Sequence, residues 1–562
     1  MLSKQATPAR VLRAIAIGIL SLAASGFAAA AAPKPTLGDL VRAGKRDSVI
    51  AAITSPDVDV NEKAPDGSTA LMWATFNVDH ELVNALLKAG AKANVTSRYG
   101  ATALGEAVKL EDLALVRKLL DAGADVNSPN LDNQTALMLA ISTGNLPITK
   151  LLVERGADVN AIETFRDQNA LMWAAGGNQP EVVDLLLAHG AKNVNLRAKA
   201  DDWERQMTSE PRAQFQSRQT GGLTALLFAT RSGCHRCAVS LVKAGADVNK
   251  PNPDGVTPLI NALDNKRFDI AMFLLDQGAN AHVWDMSGRT PIYVAVDMKT
   301  FTAGGGLGGR NGFPEAIAGP DARAAASAIT ATAVINRLLD MGVDVNHELT
   351  RKRPYGTGRG RFAEYDVRGG VGPLMIATMR HDHESMQALL AHGAEVDLPN
   401  VFQMTPLMLA AGMSSTGRNA GGGGGSAPPV ADPQARAIKT IDLLLDAGAN
   451  INARILDSRT NTAVLMAYVA GRDQEGRSVL IGAAENGQDK VVKHLLERGA
   501  DPAIRDAAGK YALDYARAPA AAPAANAPAG AAQAAAASRA AIVAMLEPVT
   551  PKAPVSVAPD KK

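Results

Sequence analysis

Aromatic side chains are scarce in this chain, at 4% of 562 residues, although apolar residues reach 47%. That balance excludes one large core built on bulky rings. With 51 glycines and many alanines, it suits closely stacked helices instead. Charge of one sign is also missing: the formal net charge is +2, and bases and acids are scattered. No global basic field points to nucleic acid, and no acidic run points to a disordered tail. Catalytic signatures are absent as well, with no P-loop, no zincin motif and no Gly-x-Ser-x-Gly. The Gly-x-Gly-x-x-Gly match in GGGLGG (304–309) lacks a strand–turn–helix around it. DVDVNEKAPDG (57–67) begins like a calcium loop but lacks Gly at the sixth position and Glu at the twelfth. Beyond residue 32 no segment is apolar enough to span a membrane.

The first 32 residues read as an export signal. Lys4, Arg10 and Arg13 precede the apolar run AIAIGILSLAASGFAAAAA (14–32), and Ala28 and Ala30 suit cleavage near Ala30. The alternative is an uncleaved anchor, but the second half of the run is only weakly hydrophobic. Arg10 and Arg13 are not adjacent, and no cysteine lies near the cleavage point, so neither the twin-arginine route nor a lipid anchor is indicated. Removal takes three bases and no acids, leaving a nearly neutral protein. The expected location is periplasmic or secreted.

What is abundant is repetition. LLDAGADVN (119–127) returns as LLVERGADVN (151–160), LVKAGADVN (241–249) and LLDAGANIN (444–452). Gly90, Gly123, Gly156 and Gly190 keep a spacing of 33 or 34, and the step recurs to Gly499. TALMWA (69–74) keeps time with it as TALGEA (102–107), TALMLA (135–140), NALMWA (169–174), TALLFA (224–229) and TPLMLA (405–410). The chemistry of one unit is legible. Thr69, Thr102 and Thr135 cap a helix by accepting a backbone N–H. Pro258 and Pro291 sit at a first helical position, where no donor is lost. Leu119 and Leu120 face a core, and Gly123 ends the second helix in the left-handed region. One helix pair cannot bury its apolar face alone, so neighbours must stack.

Spacing, the Thr-Pro-Leu slot and the Gly-Ala-Asp-Val-Asn turn together resemble the ankyrin repeat, over roughly residues 36–547. The resemblance implies an all-α ankyrin-repeat solenoid of about twelve helix-turn-helix units, on the order of 100 Å long at about 8–10 Å per unit. It is similar to the ankyrin proteins exported by bacteria. One departure is systematic: the His that usually closes the Thr-Pro-Leu-His phrase is replaced, by Met72, Gly105, Met138 and Met172 among others. Stacking should then lean on packing, with Met as an adaptable filler.

The chain divides into a signal (1–32), repeats with an insert at 196–220 (33–296), and repeats with inserts at 299–331, 347–371, 412–436 and 453–477 (297–517). An Ala/Pro-rich linker, a final helix at 538–547 and a tail complete it (518–562). Segment 347–371 interleaves Tyr355, Phe362 and Tyr365 with bases, a mix that could hold a polyanion. Segment 196–220 carries Trp203 and Phe215, with a short helix expected at ADDWERQM.

Cys234 and Cys237 are the only thiols and begin a second helix, where a disulfide could form. Ala238 follows, so haem attachment fails, and the motif lacks a βαβ context for redox work. His381, Asp382 and His383 read as a polar loop rather than a metal site, with His392 too far along the helix to join them. Trp73 and Trp173 read as core packing. Neither a cofactor nor a metal is implied. The resemblance places partner binding on turn tips and first-helix ends: Arg98, Tyr99, Leu131, Asp132, Phe165 and Arg166, with Phe76, Asn77, Lys109 and Arg231. The leading expectation is a non-catalytic exported scaffold that binds another protein. Alternatives are a redox or metal-handling accessory using Cys234 and Cys237, and a cell-envelope polymer binder.

Overall fold

The computed structural model describes residues 35–200, 221–300, 329–350, 370–413, 432–456, 474–518 and 530–551. The signal segment, Trp203 and Phe215, and Tyr355, Phe362 and Tyr365 lie outside the described residues. Within them, 24 helices form twelve consecutive pairs, from Leu37–Arg42 with Arg46–Ala52 to Ala512–Arg517 with Ala531–Leu546. We number the pairs as repeats 1–12. First helices pack on first helices of the next repeat, and second helices form a second row beside them. The fold is an all-α solenoid; among the described residues only isolated bridges, such as Thr96 with Thr102 and Ile162 with Asn169, stand in for strands.

Local chemistry fixes each unit. Thr69, Thr102, Thr135, Thr224, Thr257 and Thr405 each accept the N–H three residues on, and Asn169 and Ser478 do the same in their repeats. The departing His slot is core: Met72, Met138, Met172, Met375 and Met408 are buried. Gly123 stops its helix at φ +82°.

The recurring Asn does more than turn the chain. Asn160 donates to the Gly190 carbonyl (3.2 Å) and accepts the Lys192 N–H (2.6 Å), bracketing the next repeat from both sides. Asn61, Asn127, Asn195, Asn249 and Asn346 repeat the bracket. The preceding Asp accepts the Asn N–H, as Asp158 does from Asn160 at 2.8 Å, and so aims it. The phrase recurs because each copy holds its neighbour through hydrogen bonds between repeats. Asn160→Ala should cost about 1 kcal/mol and raise amide exchange in the second helix of repeat 5, Pro180–Ala188. Unchanged exchange there would show the bracket to be idle.

Between repeats the chain projects hairpins whose tips are tied by backbone bonds. Arg98 N–H donates to the Asp66 carbonyl, Thr164 to Asp132, Lys199 to Arg166 and Met286 to Asp254. Gly100 shows how close they come: at φ +71° a Cβ there would lie 2.5 Å from Leu131 N. Three hairpins open into the long segments. Their bases are Ala198 with Leu223, Leu349 with Val371 and Ile455 with Arg477. The other two long segments leave after Thr300 and Met413, inside repeats 8 and 10. The last helix departs from expectation. It begins at Ala531 rather than 538, because an alanine run has the highest helix propensity and extends the helix backwards.

Candidate binding surface on the hairpin tips

Consecutive hairpins before repeats 3, 4 and 5 carry Tyr99, Leu131 and Phe165, exposed by 73%, 70% and 66%. Their backbones are fixed by short turns: Tyr99 N–H donates to Ser97 Oγ, Asp132 N–H to Asn130 Oδ1, and Phe165 and Arg166 N–H to the buried Glu163 carboxylate. Rigid backbones thus hold large apolar groups in solvent. Arg98 and Asp132 are exposed beside them, and the Arg166 guanidinium lies 5.6 Å from the Phe165 ring centre.

The other expected residues sit at the far ends of first helices. Phe76 is half exposed and meets Trp73 edge-on at 5.8 Å. Asn77 caps that helix and donates to the Val41 carbonyl (3.4 Å), so its amide is engaged in stacking. Lys109 pairs with Glu106 at 3.0 Å. Arg231 stacks on Phe228 at 4.9 Å, and burial, with Arg166 nearby, pulls its guanidinium below its usual range. The two groups meet at repeat 3. There a groove of about 80 Å³ is lined by Tyr99, Gly105, Glu106, Lys109, Asn130 and Leu139. Gly105 fills the slot that Met72 and Met138 hold elsewhere.

Trp73 and Trp173 pack against the core from its edge: both are half-buried, beside the buried Met72 and Met172. Trp73 lies three residues before Phe76, so the two share a helix face. Its Nε1–H donates to Ser68 Oγ (3.0 Å), and Arg42 lies 5.4 Å from its ring. The i, i+3 spacing to Phe76 was the available signal. Trp284 had no such signal; it is 58% exposed and stacks on His347 across repeats at 5.0 Å.

Cys234 and Cys237 are buried and joined by a disulfide. Cys234 caps the helix His235–Lys243, its Sγ accepting the Cys237 N–H at 3.2 Å, in the place where Asp79, Asp112 and Asn145 use oxygen. Cys237 occupies the buried slot of Ile148.

His381 and His383 converge on one hydroxyl, Thr440 Oγ1, at 2.8 and 2.9 Å. That hydroxyl also lies 3.1 Å from the Arg436 carbonyl, so one side chain ties His381 Nδ1 and His383 Nε2 to the same helical turn. Asp382 between them takes Lys299 at 2.9 Å, and His392 turns to its own helix at Ala388. Among the described residues no group of three or more His, Cys, Asp or Glu is placed to hold a metal ion, and no described helix is long and apolar enough to cross a membrane.

Comparison with known families agrees with this architecture. A model of three ankyrin repeats matches residues 37–130, 107–198, 206–285 and 226–302, and a single ankyrin repeat matches 475–507. No curated protein matches the chain. The ankyrin matches together span just over half of the sequence, and the helix pairs continue in register between them. Ankyrin repeats generally mediate protein–protein interaction, and this chain belongs to the ankyrin-repeat family.

Proposed function

We propose that this chain is a non-catalytic, exported scaffold that holds another protein along the tips before repeats 3–5. The observation that carries the reading is the row of Tyr99, Leu131 and Phe165, each two-thirds or more exposed on a backbone pinned by hydrogen bonds. Large side chains kept in solvent on a rigid frame suit a partner that covers them, because their ordering has been completed before binding. Tyr and Arg are also the residue types that dominate interface energetics. The repeat rules leave these positions free, since caps, glycines and core slots lie elsewhere in each unit. Export rests on the basic start and apolar run of residues 1–32.

The test is affinity capture from cell-envelope extract with the full chain and with Tyr99→Ala/Phe165→Ala. Capture of a defined partner should fall at least tenfold in the variant, with helical circular dichroism unchanged. Equal capture by both proteins would remove the tips from the binding site.

A further inference from the structure

Several arginines on or just after the second helices bridge neighbouring repeats. Arg155 pairs with Asp121 (2.8 Å), Arg236 with Glu181 and Asp184 (2.6 and 2.7 Å), and Arg498 with Asp442 and Asp446 (both 2.6 Å). Arg46 likewise reaches Asp79 and Glu81. On the tips the pattern reverses. Arg98 and Arg166 make no ion pair among the described residues, although both are exposed and stand beside exposed rings. The acids on those tips, Asp132 and Asp167, are not paired with either arginine. Arg231 lies behind Arg166, its guanidinium lowered first by burial and then by that neighbouring charge.

From this asymmetry we infer that the partner presents an extended acidic segment to the tips, its carboxylates meeting Arg98 and Arg166 and an apolar side chain between them covering Leu131. The inference rests on the scaffold reading above and names the chemistry of its partner. Arginine suits this role because its planar fork takes a carboxylate in two hydrogen bonds while its face stays on an aromatic ring. Geometry sets the spacing. The two arginines lie two repeats apart, about 20 Å at about 10 Å per repeat. An extended chain rises about 3.3 Å per residue, so the acids should be about six residues apart with the apolar group midway.

The experiment uses the full chain and two short fluorescent peptides. One carries two glutamates about six residues apart around a central tyrosine; the other has lysines in place of the glutamates. Anisotropy titration should show the glutamate peptide binding at least tenfold tighter, with affinity falling as salt rises. Arg98→Glu/Arg166→Glu should invert the preference. Tyr99→Ala/Phe165→Ala should weaken the glutamate peptide while keeping the sign of the preference. Equal binding of the two peptides, or indifference to the arginine change, overturns the inference. So does inorganic polyphosphate that binds the Tyr99→Ala/Phe165→Ala chain as tightly as the unaltered one, since that marks a plain polyanion site. Partner capture that depends on Tyr99 and Phe165 without any acid preference sinks the acidic segment alone; capture that ignores both sinks the scaffold reading beneath it.

Discussion

Arg289→Met is expected to destabilise repeats 7 and 8 by about 3–5 kcal/mol. Arg289 is 1% exposed, one of the largest fully buried side chains of the solenoid. Its Nε and Nη2 reach the buried Asp285 carboxylate at 2.7 and 2.6 Å, and its Nη1 reaches Asp264 at 2.7 Å. Asp285 also accepts the N–H groups of Ser287 and Arg289, and so builds the hairpin itself. Methionine fills much of the same volume and supplies no charge, leaving two carboxylates in the interior without their guanidinium. Arg289→Lys should lie between, because an ammonium keeps the charge but cannot fork to two partners in one plane. A solenoid unfolds by regions, so the readout is local. Amide exchange in Pro258–Asp264 and Pro291–Thr300 should accelerate in the order unaltered, Lys, Met. Equal exchange in all three would show that the cluster contributes nothing net, the outcome a buried pair gives when desolvation cancels attraction.

Acid should weaken the junction of repeats 9 and 10 before the rest of the stack. His381 is pushed down to about 4, first by burial and then by the positive charges of Arg436 and His383. His383 is lowered too, by burial and by Lys439 and Arg436, with Asp382 opposing. Both imidazoles are held against Thr440, which is fully buried, and Asp382 is occupied by Lys299 and Ser385. The sign follows from the lowered value. The unfolded chain takes up a proton on His381 near pH 6.5, while the folded junction resists until about pH 4. Stability is therefore full above pH 6.5 and falls as pH drops toward 4. The loss reaches about 3 kcal/mol, with about 2 kcal/mol gone by pH 5. His381→Asn should flatten this limb. Asparagine accepts the left-handed backbone at this position, φ +52° in the structure, without a titrating ring. Exchange in Pro373–Met379 and Pro433–Asp446 at pH 7 and pH 5 decides it: the ratio should be large in the unaltered chain and small in the variant. An identical ratio in both would rule out His381 as the source.

The recurring phrases made most of the solenoid legible, because each encodes an interaction within a few residues of itself. Thr135 caps through Met138 N–H, and Gly123 turns through its own φ. The tip residues Tyr99, Leu131 and Phe165 came instead from the resemblance to ankyrin repeats, and the structure shows that all three are exposed. Trp73 packs on the core beside Met72, and its spacing to Phe76 also puts both rings on one face.

Other features carry no local mark. Arg289 has a local partner in Asp285, four residues back, but its second carboxylate, Asp264, lies 25 residues away and no short-range pattern points to it. His381 and His383 carry no mark of their common partner Thr440, which lies 59 and 57 residues on. By itself the sequence determined the unit and its count of about twelve, since caps, helix stops and core periodicity act at short range. Only tertiary structure decided which arginines are neutralised, that Trp284 stands in solvent and which histidines share a hydroxyl. Those outcomes depend on what the next repeat places opposite, and stacking alone sets that.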